Sequence, residues 1–294
     1  SALPVVLSAE PNFTARPSNS SICEADRLGP ANCKNHEAIH LHEALAAATP
    51  RSRIRVAVLD TGLDLVHEDL EGHVAPFAAD LVNDDDTPED ILGHGTAIAG
   101  IIAATRGNEL GTGGICPSAE IVGIKVSDSR GVATFANLVR GILLAVEQQC
   151  RVLNLSLGSR ADSQALRDAI QFARARGVLV VAPTGNDNTN LEMVPGRYPE
   201  VLAVAATADD GDLAITTSLG FETDLGAPGE EVYTTAPGSL YCSVTGTSCA
   251  TAVASGVAAL VLSVNPDLTP AQVVSILRRT SRPIGALEGQ FGAF

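Results

Sequence analysis

The hydrophobic positions of this chain fall into short β-branched runs separated by longer segments of helical period. Residues 54–59, 120–126, 152–157, 178–182 and 201–206 are nearly continuous apolar stretches, the pattern of strands buried on both faces. Between two of them, Phe135, Leu138, Val139, Ile142, Leu143 and Val146 recur at helical spacing and predict an amphipathic helix. A second helix is predicted over 163–176, stopped by Gly177 as a left-handed cap. Thr269-Pro270-Ala271-Gln272 reads as a capping box with proline in the first helical position, so a last helix runs to about Thr280. Strands alternating with helices predict an α/β fold, a parallel sheet covered on both faces. Catalytic groups then belong at strand ends and helix N-termini along one sheet edge.

The first fifty residues break this rhythm. The stretch 11–34 is rich in Ser, Asn and Pro and reads as a surface extension leading into a short helix near 37–48. Residues 1–50 are therefore set apart as an extension, and 51–294 as the domain that carries the core. With 294 residues, 45% of them apolar, the chain can bury such a core as one domain. A net charge of −15 with no basic stripe argues against nucleic acid as a partner and fits a secreted acidic protein. No run of about 20 apolar residues suggests a membrane span, since the longest candidate, 250–264, is interrupted by Thr251, Ser255, Gly256 and Ser263. Cys23 and Cys33, in the polar extension, are the best placed pair for a disulfide. Cys116, Cys150 and Cys249 stand in apolar contexts typical of buried thiols, while Cys242 either pairs with the extension or stays free. No C-x-x-C spacing points to a thiolate metal cluster.

Three short segments carry the chemistry. Gly246-Thr247-Ser248-Cys249-Ala250-Thr251-Ala252 opens a small-residue helix on a serine, beside unsatisfied backbone N–H groups and the positive end of the dipole. That position stabilises both a nucleophile and the oxyanion it creates. Arg55-Val56-Ala57-Val58-Leu59-Asp60-Thr61-Gly62 is a strand ending on an aspartate and a glycine turn. Gly93-His94-Gly95-Thr96 places a histidine between glycines at the start of another helix. Singly, these could be a cap, a strand-end acid and a surface imidazole; together they order Asp60, His94 and Ser248 as in subtilisin.

On these motifs the chain resembles the subtilisin-like serine proteases, the subtilases, and is thermitase-like in the acidic loop before His94. The resemblance runs from about Ile54 to about Ile284 and implies a three-layer fold with a mainly parallel sheet between helices. It implies an endopeptidase in which His94 takes the proton of Ser248, Asp60 fixes the imidazole, and Asn186 of Thr184-Gly185-Asn186 donates to the oxyanion. An extended peptide or protein substrate would pair with Gly131, Val132 and Ala133 on one side and Ser156, Leu157 and Gly158 on the other. A propeptide or inhibitor is a further partner that the resemblance implies. Ala227-Pro228-Gly229 matches a family signpost before the serine helix, and residues 288–294 read as cut off where the family continues.

The resemblance also implies structural Ca²⁺, held by Asp80, Asp85, Thr87 and Glu89 in the acidic run, where alternate oxygen donors suit a hard cation. A second site would use Asp69 and Asn108. Met193 falls at the base of the primary specificity pocket, where a thioether would exclude large aromatic side chains, unless the local loop is shifted and Met193 is core. Cys249 and Ala252 stand where the family carries methionine and proline. Ala252 restores a backbone N–H and raises a second reading, a peptide ligase or macrocyclase on the same fold. A third, of another class, is a non-catalytic binding protein, against which stands the presence of all three triad residues and Asn186.

Overall fold

The computed structural model describes residues 10–11, 14–16, 34–190 and 193–284. The chain enters through two short strands, β1 (Glu10–Pro11) and β2 (Thr14–Arg16), and two short helices, α1 (Lys34–Ala38) and α2 (Leu41–Ala47). Next come β3 (Ile54–Asp60), β4 (Ala79–Asp80), α3 (His94–Ala103), β5 (Ala119–Lys125) and α4 (Phe135–Glu147). The middle of the chain forms β6 (Val152–Asn154), β7 (Leu157–Gly158), α5 (Gln164–Ala175), β8 (Leu179–Pro183) and β9 (Leu202–Thr207). The last third forms β10 (Thr223–Pro228), β11 (Val232–Ala236), β12 (Leu240–Thr245), α6 (Thr247–Val264) and α7 (Pro270–Thr280).

Seven strands form one sheet in the order β10-β9-β8-β6-β3-β5-β4, every neighbouring pair parallel. Alternate residues of β3 show why its sequence is apolar throughout. Val56 and Val58 pack with residues of α3 and α6 in one core, whereas Ala57 and Leu59 pack with residues of α4 and α5 in the other. The sheet is thus the middle of three layers, as a continuous apolar strand requires. α4 and α5 begin on Thr134 and Ser163, whose hydroxyls accept the backbone N–H of Asn137 and Leu166. The expected capping box is present in full at Thr269 and Gln272.

Three elements differ from the sequence expectation. The strand expected over 152–157 leaves the sheet early, because Asn154 and Ser156 turn their side chains to α6. Asn154 Oδ1 accepts from Ser255 Oγ at 2.9 Å, and Ser156 Oγ donates to the Ser248 carbonyl at 3.0 Å. The chain resumes as β7, which pairs antiparallel with β1. The helix expected near 37–48 is broken in two at His40, which adopts a left-handed φ of 50°. The middle of the β11–β12 hairpin has a weak hydrophobic signature: Thr234 and Thr235 donate hydroxyl hydrogen bonds to the Ala97 and Thr96 carbonyls of α3, while Val232 and Val244 at its open end join the core.

Helix α6 is long and apolar enough to cross a membrane, yet 83% of it is buried inside the protein, which marks it as a core helix. Cys116, Cys150 and Cys249 are buried and unbridged as expected, and Cys242, half-buried, is also free. Cys23, Cys33 and residues 288–294 lie outside the described residues.

Candidate active site

Two strand ends and two helix starts meet at the carboxyl edge of the sheet. Asp60 is the last residue of β3, and its Oδ1 accepts from Thr61 N at 2.7 Å. The same oxygen lies 2.5 Å from His94 Nδ1, with both side chains buried. His94 opens α3, and the helix start is fixed from the side by Asp90. One Asp90 oxygen accepts from Gly93 N and Thr61 Oγ1, each at 2.8 Å. The other accepts from Thr96 N at 2.8 Å and Thr96 Oγ1 at 2.7 Å. This buried carboxylate, at the positive end of α3, ties the Asp60 turn to the His94 helix. Gly95 has to be glycine here, since any Cβ would strike the carbonyl of Gly62.

Asp90 was not among the residues singled out from the sequence. Its one signal is an acid just ahead of the Gly-His-Gly start, where an N-terminal carboxylate would bond free amides.

Ser248 is the second residue of α6, whose cap, Gly246, has φ 147° and ψ 171°, a backbone open to glycine. The serine hydroxyl donates to the Ser156 carbonyl at 3.1 Å. Asn186 follows β8 through Gly185, at φ 118°. Its Oδ1 accepts from both Thr247 N and Thr247 Oγ1 at 2.9 Å. The amide oxygen is thereby committed to the helix start, which turns the Nδ2 donors the other way, the polarity an oxyanion site needs.

Ser156, Leu157 and Gly158 form a buried wall beside Ser248. Gly131, Val132 and Ala133 close a turn: Val132 N donates to Asp128 Oδ1, Asp128 N donates to the Val132 carbonyl, and Ala133 bridges to Ser127. Met193 is half-buried, and its Cγ lies beside Gly185, while Val194 bridges to Ser159 at the end of the wall. Its side chain therefore stands between the wall and the asparagine turn rather than in the main core. Cys249 and Ala252 are fully buried, and burial pushes the Cys249 thiol up, which favours its protonated form.

The expected calcium ligands divide into two places. Asp80 is buried; its Oδ1 accepts from Val82 N and Asn83 N, and the Lys125 ammonium lies 3.5 Å from its Oδ2. Lys125 also donates to the Glu89 carbonyl at 2.6 Å, and Asp85 Oδ1 accepts from Thr87 N. Asp85, Thr87 and Glu89 are exposed, and among the described residues no three His, Cys, Asp or Glu side chains gather as a metal cluster. Elsewhere, Asp69 is fully buried and accepts from Asn108 Nδ2 at 2.8 Å, which brings the second expected pair together.

Comparison with known proteins identifies the family. The subtilase family model matches residues 51–293. M-protease of Shouchella clausii (strain KSM-K16) is 39% identical over 80% of this chain, which spans 60% of that relative's length. Thermitase of Thermoactinomyces vulgaris is 37% identical over 72% of this chain and 76% of its own. The crystal structure of a cold-adapted subtilisin-like serine proteinase superposes with a TM-score of 0.75 at 29% identity, covering 83% of this chain and 89% of that one. With the family match running through nearly all of the three-layer core, the chain belongs to the subtilase family.

Proposed function

We propose that the protein is a serine endopeptidase that hydrolyses peptide bonds through an acyl-enzyme on Ser248. The observation that carries this reading is the 2.5 Å contact between Asp60 and His94, set beside a serine at a helix start and an asparagine anchored on that same start. His94 takes the Ser248 proton as the oxygen adds to the substrate carbonyl carbon. Asp60 holds the imidazole orientation and stabilises the imidazolium without itself becoming protonated. Asn186 Nδ2 and the Ser248 backbone N–H hold the oxyanion, His94 returns the proton to the leaving amine, and water releases the acyl group. Asn186→Ala should lower kcat by about 10²–10³, the loss known for the subtilisin donor, with a smaller change in KM. Unchanged turnover on a fluorogenic peptide would remove Asn186 from the mechanism.

Substrates are extended peptides, and the place of Met193 beside Gly185 supports a shallow primary pocket that prefers small side chains. The names of the relatives, proteases of bacteria, support a secreted hydrolase. Calcium binding is common in the subtilisin family, and the fully buried carboxylate of Asp69 favours the second place, where Asn108 turns its Nδ2 to Asp69 and its Oδ1 to Leu110 N. The acidic loop fits less well, because Lys125 already sets a cation against Asp80. A bound ion would stabilise the fold and takes no part in the acyl transfer.

A further inference from the structure

The buried hydroxyls of helix α6 do not all spend their protons in the same way. Thr251 Oγ1 donates to the Thr247 carbonyl and Ser263 Oγ to the Leu260 carbonyl, each at 2.7 Å, the local bond that a helix offers its own serines and threonines. Ser255 Oγ leaves its helix and donates to Asn154 Oδ1 at 2.9 Å. That acceptor belongs to a fixed point of the sheet. Asn154 ends β6, and its backbone pairs with Val58 of β3 on one side and Val181 of β8 on the other. Ser255, Asn154, Ser156 and Ser248 are all fully buried.

The proton of Ser255 sets the direction of each hydrogen bond that follows. With Oδ1 held by Ser255, the Asn154 amide turns its Nδ2 to Ser156 Oγ at 2.8 Å. Ser156 Oγ accepts there and keeps its single proton for the Ser248 carbonyl at 3.0 Å. The array thus runs one way, from Ser255 through Asn154 and Ser156 to Ser248. It ends on the same helix two turns earlier, about 10 Å back along the axis. Aligned bonds of this kind strengthen one another inside a protein. Without the Ser255 proton, Asn154 Oδ1 is a buried acceptor with its donor gone. The amide then gains by turning over, which sets Oδ1 against Ser156 Oγ. The Ser156 proton goes to Asn154, and the Ser248 carbonyl loses it.

We propose that Ser255 is a positioning residue for the nucleophile, acting through Asn154 and Ser156 on the peptide that follows Ser248. The proposal rests on the protease reading above. Fully buried, Ser255 meets no substrate and lies two helical turns from the reacting oxygen. Its hydroxyl locks the Asn154 amide, and the locked array ties the first turn of α6 to the centre of the sheet. There β6 lies beside β3, the strand that ends on Asp60. The nucleophile and the Asp60–His94 pair are thereby referred to one rigid frame. A displacement of about 1 Å between such groups can cost about 10²-fold in turnover, and it leaves substrate binding largely intact.

The test compares the parent protein with Ser255→Ala, Ser156→Ala, the double variant and Ser263→Ala, whose lost proton had stayed on its own helix. Each is assayed below its melting transition on a fluorogenic peptide, with the rate of fluorophosphonate labelling at Ser248 as a second readout. Ser255→Ala should lower kcat about fivefold with KM within about twofold of the parent, and slow labelling by the same factor. Ser263→Ala should lower Tm and leave both rates unchanged. Adding Ser255→Ala to Ser156→Ala should cost less than about a further twofold, because the array is already broken. Parent-like kcat and labelling in Ser255→Ala, whatever its Tm, overturn the proposal, as does a rise in KM at constant kcat. So do an equal loss of kcat in Ser263→Ala and a double variant that loses the product of the two single losses. If the parent itself neither cleaves peptide nor labels at Ser248, the protease reading has failed and the proposal falls with it.

Discussion

Ser156 and Ser248 hold each other twice. The Ser156 hydroxyl donates to the Ser248 carbonyl at 3.0 Å, and the Ser248 hydroxyl donates to the Ser156 carbonyl at 3.1 Å. The first bond pins the opening turn of α6 to the buried wall of residues 156–158, and Asn154 Nδ2 steadies it by donating to Ser156 Oγ at 2.8 Å. In the proposed mechanism, the second means that Ser248 exchanges one acceptor for another when it gives its proton to His94.

Ser156→Ala keeps the carbonyl acceptor and removes the donor on α6. It should cost about 1 kcal/mol of stability and lower kcat by about tenfold with KM nearly unchanged, since it shifts the nucleophile rather than the pocket. A rise in KM at constant kcat would show that Ser156 contacts substrate and does not position Ser248.

Met193→Gly should open the space beside Gly185. The ratio of kcat/KM for phenylalanine over alanine before the cleaved bond should rise by about tenfold or more. An unchanged ratio across a panel of peptide substrates would make Met193 a packing residue.

Asp60, His94 and Ser248 stood out in the sequence because each lies within two residues of a glycine, in a small-residue setting that ordinary helices and strands do not need. Strands β3, β5, β6, β8 and β9 were legible because both of their faces are buried, which writes an apolar run into the sequence. Asp90 was not, since its role depends on four donors brought from Thr61, Gly93 and Thr96 by the fold. The β11–β12 hairpin was equally silent, because Thr234 and Thr235 hold its middle to α3 through hydroxyl bonds and only its ends, Val232 and Val244, reach the apolar core. Asp80 was named as a metal ligand on the family resemblance of the acidic run; Lys125 is forty-five positions away in sequence and becomes its neighbour only through β4–β5 pairing.

Acid should destabilise the protein through His36. Burial, with the charges of Arg106 and His42 adding to it, drives this imidazole down to about 3. The unfolded chain takes up the proton first, near the ordinary value of about 6.5, so the contribution is whole above that pH and drains as pH falls toward 3. Urea unfolding of the parent should lose about 1.4 kcal/mol per pH unit more than His36→Leu inside this window. Parallel pH profiles for the two proteins would contradict the assignment.

Chelation tests the two calcium loops. EDTA should lower Tm, since an ion held only by the folded state stabilises it by mass action. Asp69→Asn should abolish most of that shift, whereas Asp85→Ala should leave it. The reverse pattern would move the ion to the acidic loop, and an unchanged melting curve with no metal by elemental analysis would remove calcium altogether.

The account stands most directly on the reactivity of one oxygen. After treatment with a fluorophosphonate and digestion, mass spectrometry should find a single phosphonylated peptide, modified at Ser248. The adduct should be absent from Ser248→Ala, and its formation in His94→Ala should be slower by at least about 10³. No adduct on the folded protein, an adduct on another residue, or equal labelling without His94 would contradict a serine nucleophile activated by His94 and Asp60.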